Sequence, residues 1–175
     1  MVEPEEVKHR CTDKAFLLEV VQKQPLLLEW ASEELKNDKE VLLAAVSKDG
    51  GALEFSSTEL KDDKEVVLTA VKQASWTGCY ASQRLSDDKD IILSAVQKDG
   101  QILYYASSRL RDDEEVVLAA VSNKPIIYKY ASQRLRGNKQ IATVALQKNK
   151  NIFGYLTEEL QQDTDIQQIL HPPEE

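Results

Sequence analysis

The sequence predicts an all-α fold, an α-solenoid of six 25-residue helix-turn-helix repeats (about twelve short helices) with a terminal partial repeat. One observation behind this prediction is an aromatic residue that recurs every 25 residues without an insertion, and another is a leucine five residues after each aromatic. The aromatic residues are Trp30, Phe55, Tyr80, Tyr105, Tyr130 and Tyr155, and the leucines are Leu35, Leu60, Leu85, Leu110, Leu135 and Leu160. The third observation is the low content of six Gly and five Pro among 175 residues, which favours helices with short connections.

The 25-residue period divides the chain into three parts. Residues 1–12 form an N-terminal lead-in segment, residues 13–162 form the six repeats, and residues 163–175 form a partial seventh repeat with a Pro/Glu tail. The repeats begin at residues 13, 38, 63, 88, 113 and 138. Because one aromatic occurs in each repeat beside the apolar face, we expect the aromatic series to pack between repeats rather than to stack on nucleic-acid bases.

Each repeat opens with a residue type that caps helices. Asp or Asn occupies the first position of all six repeats, and its side-chain oxygen can accept hydrogen bonds from the N–H groups of a first helical turn. An apolar run of Val, Ile, Leu and Ala follows and covers about 200° of a helical wheel. We therefore expect the first helix of each repeat to be sandwiched between neighbouring helices.

A break in the middle of each repeat separates the first helix from a second one. Gly50 and Gly100 are expected to take a left-handed conformation after the first helix, whereas Pro25 and Pro125 suit the first turn of the next helix. The second helix is expected to run for about ten residues, too short to be stable alone. Stacking of successive pairs would then bury a continuous core.

A serine recurs two residues after the repeated aromatic, with a threonine in the sixth repeat. We expect its hydroxyl to pack as a small group and to bond to the preceding turn. A catalytic serine needs a positioned base, and the two histidines, His9 and His171, lie in the terminal segments. The sequence therefore predicts a protein that is not an enzyme and that has no site for a cofactor or a metal.

The repeat motif resembles a known family. The pattern D-K-E-V-V-L-x-A-V followed by Y-A-S-x-x-L, as in residues 63–71 with 80–85, resembles the helical repeats of the domain of unknown function 4116 family, and the resemblance covers residues 13–162. It implies a helical array, with no catalytic or binding residue to transfer, and an origin among amoeba-dwelling bacteria or protists. The sixth repeat departs from the pattern at Ala142-Thr143 and Leu156-Thr157, as a capping repeat would.

Charge is distributed unevenly along the chain. Residues 116–157 contain seven Lys and Arg and no Asp or Glu, a charge of +7, against −15 for the remainder. Such asymmetry favours an anionic partner. Arg84, Arg109 and Arg134 share one repeat position, which is Glu in the first, second and sixth repeats. Ion pairs between Arg and Glu of adjacent repeats are the competing structural explanation.

Residues that vary between otherwise similar repeats are the candidates for partner binding. Exposed aromatic and arginine side chains are typical interface anchors. The candidates are Trp76, Arg84, Tyr104, Arg109, Arg111, Tyr128, Lys129, Arg134 and Arg136. For Trp76, the filling of a groove between helices is an equally good explanation.

The predicted function is that of a non-catalytic helical-repeat scaffold for protein–protein interaction, either an effector-like module of a bacterium or a subunit of a protist assembly. The alternative is binding of nucleic acid or another polyanion through residues 116–157. Two cysteines without metal spacing, an acidic N-terminus without a signal sequence and the lack of an apolar run of about 20 residues favour an intracellular protein without a membrane span. An origin in a pathogen would imply delivery into a host cell instead.

Overall fold

The structure is a computed structural model that describes residues 2–171. All regular structure in this range is helical. The chain divides after Ser94 into two compact units, here called the N-terminal and C-terminal units. The helices of both units follow the 25-residue period of the sequence, which confirms the predicted all-α repeat fold. The tail at residues 172–175 lies outside the described residues.

The first helix of each repeat is α-helical and begins directly after the predicted cap. A short lead-in helix, Pro4–His9, precedes the first repeat and buries Val7. The first helices are Lys14–Val21, Lys39–Val46, Lys64–Gln73, Lys89–Val96, Glu114–Asn123 and Lys139–Lys148, and Thr164–Leu170 is the helix of the partial seventh repeat.

The capping oxygens act as the sequence predicts. Asp38 accepts hydrogen bonds from the N–H groups of Glu40 and Val41 at 3.0 and 3.1 Å. Asn138 accepts from Ile141 at 3.2 Å. These bonds satisfy donors that a first helical turn would otherwise leave unpaired, so the start of each of these helices is fixed locally.

Four positions of the first helix contribute the most regular part of the core. In Lys39–Val46 these are Val41, Leu42, Ala45 and Val46, and all four are fully buried. At 100° per residue these four positions cover about 140° of the helix surface, so the helix buries one broad face against its neighbours. Burial of each larger side chain contributes about 1.5–3 kcal/mol.

The second half of each repeat differs from the prediction. Instead of one ten-residue α-helix, a six-residue 3₁₀ helix ends at the repeated aromatic, and a separate helical turn of three or four residues follows. The 3₁₀ helices are Pro25–Trp30, Gly50–Phe55, Ser75–Tyr80, Gly100–Tyr105, Pro125–Tyr130 and Lys150–Tyr155. The short turns are Glu33–Lys36, Leu60–Asp62, Leu85–Asp87, Leu110–Asp112, Gln133–Arg136 and Glu158–Gln161.

The interruption lies at the residue after the aromatic. Ala31 is extended, with φ −71° and ψ 160°, and cannot continue a helix. The N–H of the next residue, Ser32, donates to the carbonyl of Cys11 at 2.9 Å. This bond joins the second half of the repeat to a residue 21 positions earlier. The break between the 3₁₀ helix and the short turn is therefore held by a contact that is distant in sequence.

The repeated serine has a different role from the one predicted. The hydroxyl oxygen of Ser132 accepts from the N–H of Leu135 at 3.1 Å and so caps the short turn that follows it. The same hydroxyl donates to the carboxylate of Asp112 in the preceding repeat, and not to the preceding turn. One hydroxyl therefore both begins a helix and joins two repeats.

Gly50 and Gly100 also differ from the prediction. Neither residue has a positive φ. Each starts a 3₁₀ helix that lies against the first helix of the next repeat, where an added Cβ would come within 2.4 Å of the carbonyl oxygen of Ala70 or Ala120. Close packing of two backbones, not a left-handed turn, therefore requires glycine here.

Replacement of Gly100 tests this close approach. We expect Gly100→Ala to lower the free energy of unfolding by about 1–3 kcal/mol, because the backbone of residue 120 cannot move away without disturbing its helix. Gly154→Ala is the matched control, since nothing lies within 4 Å of a Cβ at that position. The control should be neutral or stabilising by up to about 1 kcal/mol. Equal effects of the two changes in urea unfolding would contradict the packing explanation.

Candidate protein-interaction surface

A lysine at the start of the first helix joins successive repeats. Lys39 Nζ lies 2.8 Å from the carboxylates of both Asp63 and Glu65 in the next repeat. We call this contact the lysine bridge. It recurs from Lys14 to Asp38 and Glu40, from Lys64 to Asp88 and Asp90, and from Lys139 to Asp163 and Asp165.

The lysine bridge changes the ionisation of both partners. Burial raises the pKa of Asp63, but hydrogen bonds from Lys39 and from backbone N–H groups outweigh this effect and hold the pKa below its usual value. Hydrogen bonds to Asp63 and Glu65 raise the pKa of Lys39. The bridge is therefore ionised on both sides at neutral pH.

At one junction, the lysine and both carboxylates of the lysine bridge are replaced by other residue types. In the fifth repeat Glu114 stands where the lysine is expected, and in the sixth repeat Asn138 and Gln140 stand where the carboxylates are expected. A glutamate opposite two carboxylates would be repelled, whereas amides carry no charge. The three changes thus remove the attraction without leaving a repulsion.

The candidate arginines bind the preceding repeat. Arg134 Nε lies 3.0 Å from Asp112 Oδ1, and its Nη2 donates to the Asp112 carbonyl at 2.6 Å. Arg84 makes the same contacts with Asp62 at 3.1 and 2.5 Å. The expected ion pairs between adjacent repeats therefore form, but with the aspartate 22 residues before each arginine and not with the glutamate at the same repeat position.

The basic segment 116–157 is partly neutralised by residues outside it. Arg134 is paired with Asp112 and also lies 3.2 Å from Glu114 through Nη1. Lys139 is paired with two aspartates of the partial seventh repeat. Seven positive charges in sequence are therefore not seven uncompensated charges in space.

Aromatic residues are exposed at the end of the 3₁₀ helix Gly100–Tyr105. Tyr104 and Tyr105 are 55% and 51% exposed, while Ile102 and Leu103 of the same helix are buried and anchor it. The Tyr104 ring lies 5.1 Å from that of Tyr105 and 5.0 Å from that of Tyr130, in edge-to-face geometry. We call Tyr104, Tyr105 and Tyr130 the tyrosine cluster.

A cation extends the tyrosine cluster. Lys129 Nζ lies 4.9 Å from the centre of the Tyr130 ring and 6.0 Å from that of Tyr155. Such contacts hold the ammonium group against aromatic faces. The cluster thus places three tyrosine rings and one positive charge together on the C-terminal unit.

Trp76, in the N-terminal unit, is packed on one side and exposed on the other. Its side chain is 48% exposed. One edge covers Gly51, where an added Cβ would lie 3.3 Å from a ring atom, and the ring meets that of Tyr80 at 5.8 Å. Trp76 is therefore a packed residue with one free face.

Tyr128 does not belong to any surface, which corrects its place among the partner-binding candidates. The side chain is fully buried, and its hydroxyl donates to the carbonyl of Arg136 at 2.5 Å. Burial raises the pKa of Tyr128 far above its usual value. The equivalent residue of the fourth repeat, Leu103, is likewise core, and its apolar character was the signal available in the sequence.

The remaining candidates are divided. Arg109 is exposed, whereas Arg111, Lys129 and Arg136 are half-buried. Sequence reasoning missed Tyr105, which was assigned to packing with the other repeated aromatics although half of it is exposed. The structure places Lys129 and Tyr105 in one cluster with Tyr104 and Tyr130.

Within residues 2–171, no helix is long and apolar enough to cross a membrane, and no group of three or more His, Cys, Asp or Glu is arranged to hold a metal ion. The two cysteines, Cys11 and Cys79, are free thiols. The repeated serine hydroxyls that bond to carboxylates of the preceding repeat are committed to capping and bridging.

These features define a tandem helical-repeat protein. Its sequence matches the model of the domain of unknown function (DUF4116) in five overlapping segments, residues 13–61, 40–86, 63–111, 88–136 and 113–161, and the chain belongs to that family. No curated protein and no solved structure matches the chain.

Two substitutions of Asp63 separate the contribution of the lysine bridge from that of the helix cap. We expect Asp63→Ala to lower the free energy of unfolding by about 1–2 kcal/mol, since it loses both the helix cap and the partner of Lys39. Asp63→Asn keeps a capping oxygen, as Asn138 does naturally, and should cost less. Urea unfolding at pH 7 measures both variants, and an equal loss in the two would contradict the role of the cap.

The pH dependence of the same variants follows from the lowered pKa of Asp63. A carboxylate whose folded pKa is lowered stabilises the fold above its unfolded pKa of about 3.9, and this contribution is lost as the pH falls through the folded pKa. The difference in unfolding free energy between the wild type and Asp63→Asn should therefore shrink below about pH 4. A difference that stays constant down to about pH 2 would argue against the bridge.

Proposed function

We propose that this protein is a non-catalytic scaffold that binds a protein partner through the tyrosine cluster. The observation that carries the proposal is the joint exposure of Tyr104 and Tyr105 beside Tyr130, held in place by mutual ring contacts. Tyrosine combines a large apolar face with a hydrogen-bonding group and loses little side-chain entropy on binding, which is why it is frequent among interface anchors.

The repeat frame supports a binding role in a second way. The core positions of the first helix recur with little change, whereas the exposed position of Tyr104 carries a different residue type in most repeats. The residues at that position in the other repeats are Glu29, Glu54, Cys79, Lys129 and Gly154. Substitution at such a position changes the exposed surface while the buried residues of the first helices stay the same, so a few outer residues can carry specificity.

The experiment is affinity capture with wild-type protein and with the double variant Tyr104→Ser/Tyr105→Ser. Both side chains are half exposed and the buried Ile102 and Leu103 anchor their helix, so the variant should stay folded, with a loss of about 1–2 kcal/mol from the removed ring contacts in urea unfolding. We expect a protein that the wild type enriches in stoichiometric amount to fall at least about tenfold with the variant. Leu26→Ser, at an exposed apolar residue of the N-terminal unit, is the matched control and should leave capture unchanged. Capture that is unaffected by the double variant would contradict the proposal.

Binding of nucleic acid or another polyanion through residues 116–157 is the second candidate. It is favoured by the concentration of Lys and Arg in that segment, and it is weakened by the carboxylates already paired with Arg134 and Lys139. Single-stranded RNA and DNA with a fluorescent label, titrated at about 50 mM and about 200 mM salt, separate the two candidates. Micromolar binding that falls steeply with salt would favour the polyanion, and no binding at either salt concentration would favour a protein partner.

A further inference from the structure

The first repeat (13–37) leaves apolar residues uncovered in its 3₁₀ helix. Leu26 is 47% exposed, although the fourth and sixth repeats carry polar residues, Gln101 and Asn151, at this outer position. The next residue, Leu27, is half-buried. Its equivalents in the other five repeats are all buried, and they are Ala52, Thr77, Ile102, Ile127 and Ile152. The first repeat therefore exposes apolar surface at a position that the other repeats bury.

The junction between the second and third repeats shows how such a surface is covered. The Trp76 ring lies over Gly51, which occupies the same position in the preceding repeat, and an added Cβ at Gly51 would be 3.3 Å from a ring atom. By the same relation, the residue that would cover Leu26 is Gly51 itself, which has no side chain. The junction between the first and second repeats therefore lacks the ring that the next junction has.

An open cleft lies at this uncovered junction. Its volume is about 360 Å³, and its lining includes Leu26, Leu27 and Trp30 of the first repeat and Asp49 of the second. The 3₁₀ helices of these two repeats contact each other within the N-terminal unit, so packed elements bound the cleft. Three large apolar side chains in one open cleft are typical of a site that takes an apolar group.

The charged groups that line the cleft are anionic. Glu29 and Asp49 both line it, and no Lys or Arg of the described chain does. Neither carboxylate forms an ion pair within residues 2–171. Lys8 Nζ lies 4.1 Å from the centre of the Trp30 ring, but its ion pair is with Glu5 at 2.6 Å. Both carboxylates of the cleft are therefore available to a cation from outside the chain.

The sequence around the cleft carries the same sign of charge. Residues 1–94 contain 19 Asp and Glu and 12 Lys and Arg, a net charge of −7, whereas residues 95–175 have a net charge of −1. A surface of one sign attracts partners of the opposite sign and speeds their association. An apolar cleft with anionic lining in an anionic unit therefore complements a basic segment that carries an apolar side chain.

We propose that this cleft binds a basic segment of a protein partner through an aromatic side chain that has Lys or Arg next to it. The aromatic ring lies against Leu26 and Leu27, as Trp76 lies against the preceding repeat, and the neighbouring cation pairs with Glu29 or Asp49. The inference goes beyond the proposed function, because the cleft is in the other unit from the tyrosine cluster and suits a segment of positive charge.

The first test titrates the peptide acetyl-Lys-Phe-Lys-amide into the isotopically labelled full chain. We expect the backbone amide signals of residues 26–30 to shift, because the ring lies against this part of the chain. Binding should be at least about fivefold tighter than that of acetyl-Lys-Ala-Lys-amide, which lacks the ring, and of acetyl-Ser-Phe-Ser-amide, which lacks the charge. Equal binding of either control peptide, or shifts confined to the tyrosine cluster, would overturn the proposal.

The second test removes the charge of the cleft without removing a helix cap. Asp49 accepts a hydrogen bond from the backbone N–H two residues later at 2.8 Å, and Asn149 does the same in the sixth repeat at 2.9 Å. Asp49→Asn should therefore keep the fold and, combined with Glu29→Gln, weaken binding of the Lys-Phe-Lys peptide at least about fivefold.

The matched control for this test is Asp99→Asn. Asp99 makes the same cap in the fourth repeat at 2.9 Å but lies in the C-terminal unit. This variant should bind the Lys-Phe-Lys peptide as tightly as the wild type does. Unchanged binding by the double variant Asp49→Asn/Glu29→Gln, or an equal loss in the Asp99 control, would overturn the proposal.

The cleft and the tyrosine cluster can fail independently. Leu26→Ser should weaken binding of the Lys-Phe-Lys peptide at least about fivefold while it leaves capture through the tyrosine cluster unchanged. Tyr104→Ser/Tyr105→Ser should do the reverse. A Leu26→Ser variant that binds the peptide as the wild type does would overturn only the cleft. Shifts of residues 26–30 that appear without peptide as the protein concentration rises would assign the cleft to a second copy of the chain and would also overturn it.

Discussion

Burial of the first helix against its neighbours is the interaction on which the rest of the structure depends. A helix of eight residues such as Lys39–Val46 is not stable alone in water, and its Val41, Leu42, Ala45 and Val46 are fully buried because neighbouring helices cover them. The lysine bridge and the serine contacts add polar interactions between adjacent repeats to this burial. They contribute little apolar area, but they fix which residues of adjacent repeats face one another, so the apolar surfaces meet in one register.

The parts of the fold that follow from local chemistry could be predicted from the sequence. The period, the capping residues and the first helices depend on residues close together in the chain. The second half of the repeat could not be predicted in the same way, because six residues do not distinguish a 3₁₀ helix from the start of an α-helix. The distinction is made by contacts distant in sequence, such as Ser32 N–H with the Cys11 carbonyl, and by the close approach of Gly100 to residue 120.

The candidate surface was predictable in part. Tyr104 and Lys129, chosen for their variation between repeats, both contact Tyr130, whereas Tyr128 is buried at a position that is also core in the fourth repeat. The arginine contacts left a signal in the sequence, since Asp62 and Asp112 each precede an arginine by 22 residues. Reading that offset requires knowledge that the serine and arginine face the end of the preceding repeat, which only the structure supplies.

The replacement of the lysine bridge by Glu114, Asn138 and Gln140 has a consequence for how such a chain can evolve. A fifth repeat placed before any of the second, third, fourth or fifth repeats would set its glutamate against two carboxylates. A sixth repeat placed after one of the first four would leave a lysine opposite neutral amides. Repeats of one length are therefore not interchangeable: duplication or reshuffling among the first four repeats keeps a lysine opposite at least one carboxylate, whereas separating the fifth repeat from the sixth breaks the match between Glu114 and the two amides.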